Sequence, residues 1–139
     1  MAKYSAFGTV LQIGGTAGTA IVNIESIEGP ELSTETIDMT AHDSSGGYRE
    51  KVPTFLDAGD ITLRMQWDPN HATHKDAAGG LINAWKTKSL TPFALTFPST
   101  PAATWTFSAY VTKFVASAPF DDKLAADCTL TVSGSATLA

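Results

Sequence analysis

A single cysteine, Cys128, occurs in the 139 residues, so no disulfide can form within the chain. At this length one domain buries roughly two-thirds of its unfolded surface, enough to stand without covalent staples. One domain spanning 1–139 is therefore expected. Charge is scarce as well, at 17% of residues, and the net value is −5. The nine Lys and Arg are scattered from Lys3 to Lys123 and form no basic stripe, which argues against a surface that grips nucleic-acid phosphates. Long apolar runs are missing too. Residues 89–112 carry no charge, but Pro92, Pro98, Pro101 and nine Ser or Thr make the stretch too polar and too broken for a bilayer helix. Near the start, Gly8, Gly14, Gly15 and Gly18 interrupt the chain, and the apolar run Val10–Ile13 is too short for a signal peptide. No membrane association is expected.

Catalytic constellations are equally absent. His42, Asp43 and Ser44 are consecutive, and neighbours in a chain cannot fold back so that serine reaches one imidazole nitrogen while aspartate orients the other. His71 and His74 have a spacing that could bring two imidazoles to one helical face, but no third strong ligand follows. They read as surface histidines near a helix start. Asp121-Asp122 lies in a turn, where adjacent carboxylates point apart. Gly14-Gly15-Thr16 lacks the lysine of a phosphate loop. Cys128 alternates with leucines and reads as a buried filler. The chain is expected to hold no catalytic residue, metal or cofactor.

What the sequence does have is period-2 alternation. Ile61, Leu63, Met65 and Trp67 share one strand face; Trp105, Phe107, Ala109 and Val111 share another; Leu124, Ala126, Cys128, Leu130 and Val132 a third. Shorter strands are expected at 9–13, 20–27, 35–40 and 90–97, separated by turn residues such as Gly14-Gly15 and Gly29-Pro30. One segment differs: Ala77, Ala78, Leu81, Ile82 and Trp85 recur at spacings of three and four, which predicts a helix within 71–87 despite Gly79-Gly80. The expected fold is mainly β, a β-sandwich or barrel with one short α-helix between its middle strands. Trp67, Leu81, Ile82, Trp85, Trp105 and Phe107 are its expected core. The acids Glu25, Glu28, Glu31, Glu35, Asp38 and Asp43 follow one another without an intervening base and read as a solvated face.

These parts, taken in order, resemble the major tail tube proteins of long-tailed, non-contractile bacteriophages, which are similar to the tubes of contractile tails and type VI secretion. The likeness covers nearly the whole chain. It rests on Ile37-Asp38-Met39-Thr40 before a polar loop, Gly59-Asp60-Ile61 opening a strand, and Pro119-Phe120-Asp121-Asp122 before a last strand ending Ser133-Gly134. No separate immunoglobulin-like domain is expected after residue 139. The resemblance implies a structural virion protein, assembled in the bacterial cytoplasm, that forms hexameric rings stacked into a hollow tube. DNA would pass through without specific binding, and tail-tip initiator, tape-measure and tail terminator proteins would be its partners.

It also implies a role for residues 41–54, which are long for a link between strands. His42, Asp43, Ser44, Ser45, Gly46, Gly47, Tyr48, Arg49, Glu50 and Lys51 would form a protruding loop that reaches neighbouring subunits. An ordinary mobile loop is the competing reading. For the whole chain the alternatives are a type VI secretion-like tube protein, or a monomeric β-sandwich that binds a ligand such as a sugar through Trp67, Trp85 and Trp105.

Overall fold

The computed structural model describes residues 3–42 and 45–139. Its strands are β1 (Val10–Ile13), β2 (Thr19–Ala20), β3 (Ile24–Glu28), β4 (Ser33–Asp38), β5 (Lys51–Asp57), β6 (Asp60–Gln66), β7 (Thr91–Phe97), β8 (Ala103–Ser117), β9 (Ala125–Val132) and β10 (Thr137–Leu138). The one α-helix among the described residues, α1 (Leu81–Thr87), falls between β6 and β7. Eight strands make one antiparallel sheet in the order β2-β1-β7-β8-β9-β6-β3, with β10 added against β8. Among the described residues β4 and β5 pair only with each other.

The long strand β8 organises the sheet. Its first half pairs with β7, from Phe97↔Ala103 to Thr91↔Ala109. Its second half pairs with β9, from Ala109↔Val132 to Ser117↔Ala125. Side chains from both wings meet in one cluster: Leu11, Phe93 and Leu95 from one, Ile61, Leu63, Met65 and Leu130 from the other, all fully buried. The sheet therefore curls over its own apolar face. Alternation put these residues on the inner side, as the sequence predicts, and Phe93 and Phe107 stack at 5.9 Å between ring centres. Cys128 is buried among them, and the lack of water pushes its thiol pKa up to about 12.

The curl stops just short of a barrel. β2 and β3 stand at opposite ends of the strand order, yet only Ile21, Val22 and Asn23 separate them in the chain. Those residues span the seam. The Ile21 N–H donates to the Leu11 carbonyl at 2.8 Å, and the Gln66 N–H donates to the Asn23 carbonyl at 2.9 Å. Asn23 takes a left-handed backbone, φ 60°, which asparagine tolerates better than most side chains. Among the described residues no strand ladder closes the circle, so the architecture is sandwich-like rather than a closed barrel.

His74 clasps this seam, which corrects the expectation of a surface histidine. The ring is fully buried. Its Nδ1 accepts the Asp68 N–H at 3.1 Å, so Nε2 carries the proton and donates to the Val22 carbonyl at 2.8 Å. Burial holds its pKa below the ordinary histidine value, with the neighbouring His71 pushing the same way and Asp68 opposing.

The helix is shorter than predicted. Residues 68–80 form turns, and α1 begins only after Gly80, which takes an extended conformation at the N-cap. Gly79 is left-handed at φ 88°, incompatible with helix. Leu81 and Ala84 are the helix residues that enter the core. Trp85 does not: it is 51% exposed, although at i+4 from Leu81 it lies only about 40° round the helix from that residue. Ile82, Trp67 and Trp105 are half-buried, and Trp67 meets Phe114 edge-on at 5.7 Å.

Two expected outcomes follow. Phe93→Ala should cost roughly 3–5 kcal/mol in chemical denaturation, as large core truncations do, whereas Trp85→Ala should stay within about 1 kcal/mol, as surface changes do. The second concerns acid. Unfolded His74 binds a proton below its ordinary pKa and the folded ring resists it, so this group's contribution is complete above that value and is lost as pH falls below it. The denaturation midpoint should drop between pH 7.5 and pH 5, and His74→Gln, less stable at pH 7.5, should show a shallower drop.

Candidate assembly surface

β4 and β5 form a two-stranded ribbon that leaves the body, and every one of their residues is exposed. Register runs from Ser33↔Asp57 to Asp38↔Lys51, with an irregularity between Thr34 and Thr36. Pro53 cannot donate to a ladder, which suits a strand with a free edge. The protrusion is thus larger than the predicted loop, and its boundaries differ. Residues 51–54 belong to β5, and the connection between strands runs from 39 to 50.

At the base the two chains pass so closely that glycine is needed on both. A Cβ on Gly29 would lie 2.7 Å from the Asp60 carbonyl oxygen, and one on Gly59 would lie 2.5 Å from that of Glu31. Both have positive φ, 113° and 68°. The arm's point of departure is therefore fixed by backbone contact.

At the far end, polar groups tie the connection down. The Met39 N–H donates to the Glu50 carbonyl at 2.7 Å, and the Glu50 N–H donates to Thr40 Oγ1 at 2.8 Å. Asp38 receives the Thr40 hydroxyl and N–H, and Arg49 Nη1 at 2.9 Å. These bonds, Thr40's first, hold the Asp38 carboxyl below the usual carboxylate range. Ser45–Gly47 form a short 3-10 element kinked at Gly46, which takes a left-handed backbone at φ 66°. His42, Gly46, Gly47 and Tyr48 are exposed, and Lys51 opens β5 opposite Asp38. Asp43 and Ser44 lie outside the described residues.

The ribbon's chemistry is unusual for something standing in water. Ile37 and Val52 are about half exposed, Phe55 is 76% exposed, Leu56 82% and Tyr48 78%. An isolated two-stranded hairpin is marginal at best, and contiguous exposed apolar surface marks an interaction site. The loop expected from the sequence, 41–54, leaves out the exposed Phe55 and Leu56, because Lys51–Asp57 alternates poorly. Ion pairs mark the opposite, polar side of the body sheet. There Arg64 bridges Glu25 at 3.4 Å and Asp127 at 3.1 Å, and Lys123 also bonds Glu25. The bond from Lys123 comes first among the causes that lower the Glu25 pKa. Among the described residues no three His, Cys, Asp or Glu side chains gather as a metal site. No helix among them is long and apolar enough to cross a membrane. Nor do the tryptophans form one platform: Trp67 packs on Phe114, Trp85 lines a groove with Tyr110, and Trp105 lines another with Leu32 and Leu56.

The profile of the family described as "Lambda phage tail tube protein, TTP" matches residues 13–139. The chain belongs to that family. The tail tube protein is accordingly a structural component of a phage or phage-like particle's tail and not an enzyme. No curated protein matches it in sequence. Its fold is similar to a chain of the virion of a native gene transfer agent particle, at 12% identity and TM-score 0.75, covering 99% of both chains. A chain of the sheath/tube terminator of an extracellular contractile injection system matches at 16% identity and TM-score 0.73, over 100% of this chain and 98% of that one. The SPP1 tail tube matches at 11% identity and TM-score 0.67, over 96% and 78%. The same fold thus recurs in a contractile injection system and in the SPP1 tail tube.

In the unassembled tail tube protein, amide hydrogens of β4 and β5 should exchange much faster than those of β8 and β9, since few buried contacts hold the ribbon. Hydrogen exchange with mass spectrometry checks this, and equal protection of both regions would count against a free-standing arm.

Proposed function

We propose that the chain polymerises as stacked rings, hexameric by analogy with its family, into the hollow conduit through which genome DNA leaves the particle. The exposed apolar arm carries this reading. A monomer that keeps Phe55, Leu56 and Tyr48 in water gains on covering them, at roughly 25 cal/mol per Å², and a neighbouring subunit is the partner present at highest concentration. The end positions of β2 and β3, which pair with no further strand among the described residues, support the same reading, since sheet edges joined between subunits cease to be sites of uncontrolled pairing. The net charge of −5 suits a channel through which DNA slides without sticking. Within the tail the tube would begin on a tip initiator, enclose a tape-measure protein and end at a terminator.

Concentrated purified protein, with an initiator supplied where nucleation is slow, should give rings or tubes by negative-stain microscopy. Shortening residues 43–50 to an Asn-Gly turn should leave a folded monomer by circular dichroism that no longer grows tubes. Normal tubes from the shortened chain would make the tip an ordinary loop, and a wild type that stays monomeric under all these conditions would contradict the reading as a whole.

A further inference from the structure

The charges are distributed unevenly. Residues 31–57, the arm and its approaches, hold Glu31, Glu35, Asp38, Asp43, Glu50 and Asp57 against only Arg49 and Lys51. Residues 77–120 hold no acid at all and three lysines, Lys86, Lys88 and Lys113. Within that acid-free stretch lies a groove of about 500 Å³ between the end of α1 and the middle of β8, lined by Trp85, Tyr110, Val111, Thr112, Lys86 and Lys88. Trp85 is 51% and Tyr110 38% exposed, an aromatic pair left in water. Lys88 is held at the helix end in a left-handed conformation, its N–H donating to the Trp85 carbonyl at 3.3 Å. Its side chain has no ion-pair partner among the described residues, whereas Lys86 pairs with Asp76 at 2.8 Å.

We infer that this groove is the receiving surface for the β4–β5 arm of a second copy of the chain. Each surface supplies what the other lacks. The arm brings uncovered apolar side chains framed by carboxylates, and the groove brings uncovered aromatics framed by ammonium groups. Exposed tryptophan and tyrosine are the residue types that dominate interface energetics, and opposite charge around them sets register and encounter rate. The free carboxylates of the arm would find in Lys88 an unpaired cation. The inference rests on the self-assembly reading and adds to it the acceptor, so that arm and groove make a head-to-tail contact that can propagate from copy to copy.

The test uses full-length protein, half of it labelled with nitrogen-15, assembled and treated with a zero-length carbodiimide that joins carboxylates to amines. Mass spectrometry should find Lys88 linked to an acid of residues 31–57 in isotope-mixed peptides, which only contacts between copies produce. Trp85→Ala, with an unchanged melting temperature, should raise the concentration needed for assembly at least tenfold. Assemblies in which Lys88 links only to acids outside the arm, or a Trp85→Ala variant that assembles like wild type, would overturn the groove as acceptor and leave self-assembly standing. A wild type that never associates would remove both readings.

Discussion

Everything distinctive about this chain follows from a sheet that must cover its own apolar face. Seven strands in path, with β8 shared between two wings, curl over a single core without a closing ladder among the described residues. The gap is bridged covalently by Ile21–Asn23 and pinned by an imidazole that water cannot reach. Because that clasp is a pair of hydrogen bonds from one neutral ring, it fixes the seam with a defined geometry. It also couples the turns of 68–80, and through them α1, to the edge strands.

With the body satisfied in this way, the arm is left over. It cannot join the sheet, whose order is complete without it, and two close-passing glycines direct it away from the base. Most proteins would fill such an insertion with polar residues. This one keeps phenylalanine, leucine, isoleucine and tyrosine there, which is costly for a monomer and useful for a polymer. The low charge of the body agrees, since little repulsion opposes the packing of copies.

The readable part of the fold was the part governed by a simple period. Alternation located β6, β8 and β9 and assigned their inner faces correctly, because one side of each is buried and the other wet. Three features escaped that logic. β5 contains Pro53 and has no buried side at all, so it carries no alternation to read. The helix is shorter than its spacing predicts because Ala77 and Ala78 continue the period, while Gly79 takes a left-handed and Gly80 an extended backbone. His74 gave no signal, since its burial depends on a backbone carbonyl 52 positions earlier in the chain. Within the arm, composition singles out Tyr48 and Arg49 as candidate contact residues, while the exposure of Phe55, Leu56 and Trp85 required the topology.

On the proposed reading, the β4–β5 arm is covered by another copy in the assembled tube. A helical reconstruction of tubes grown from the purified chain, at a resolution that traces the main chain, measures this directly. In every subunit the arm should lie against a neighbouring subunit, with Phe55 and Leu56 shielded from solvent. A well-ordered tube in which the arm projects into solvent and touches no neighbour would contradict it.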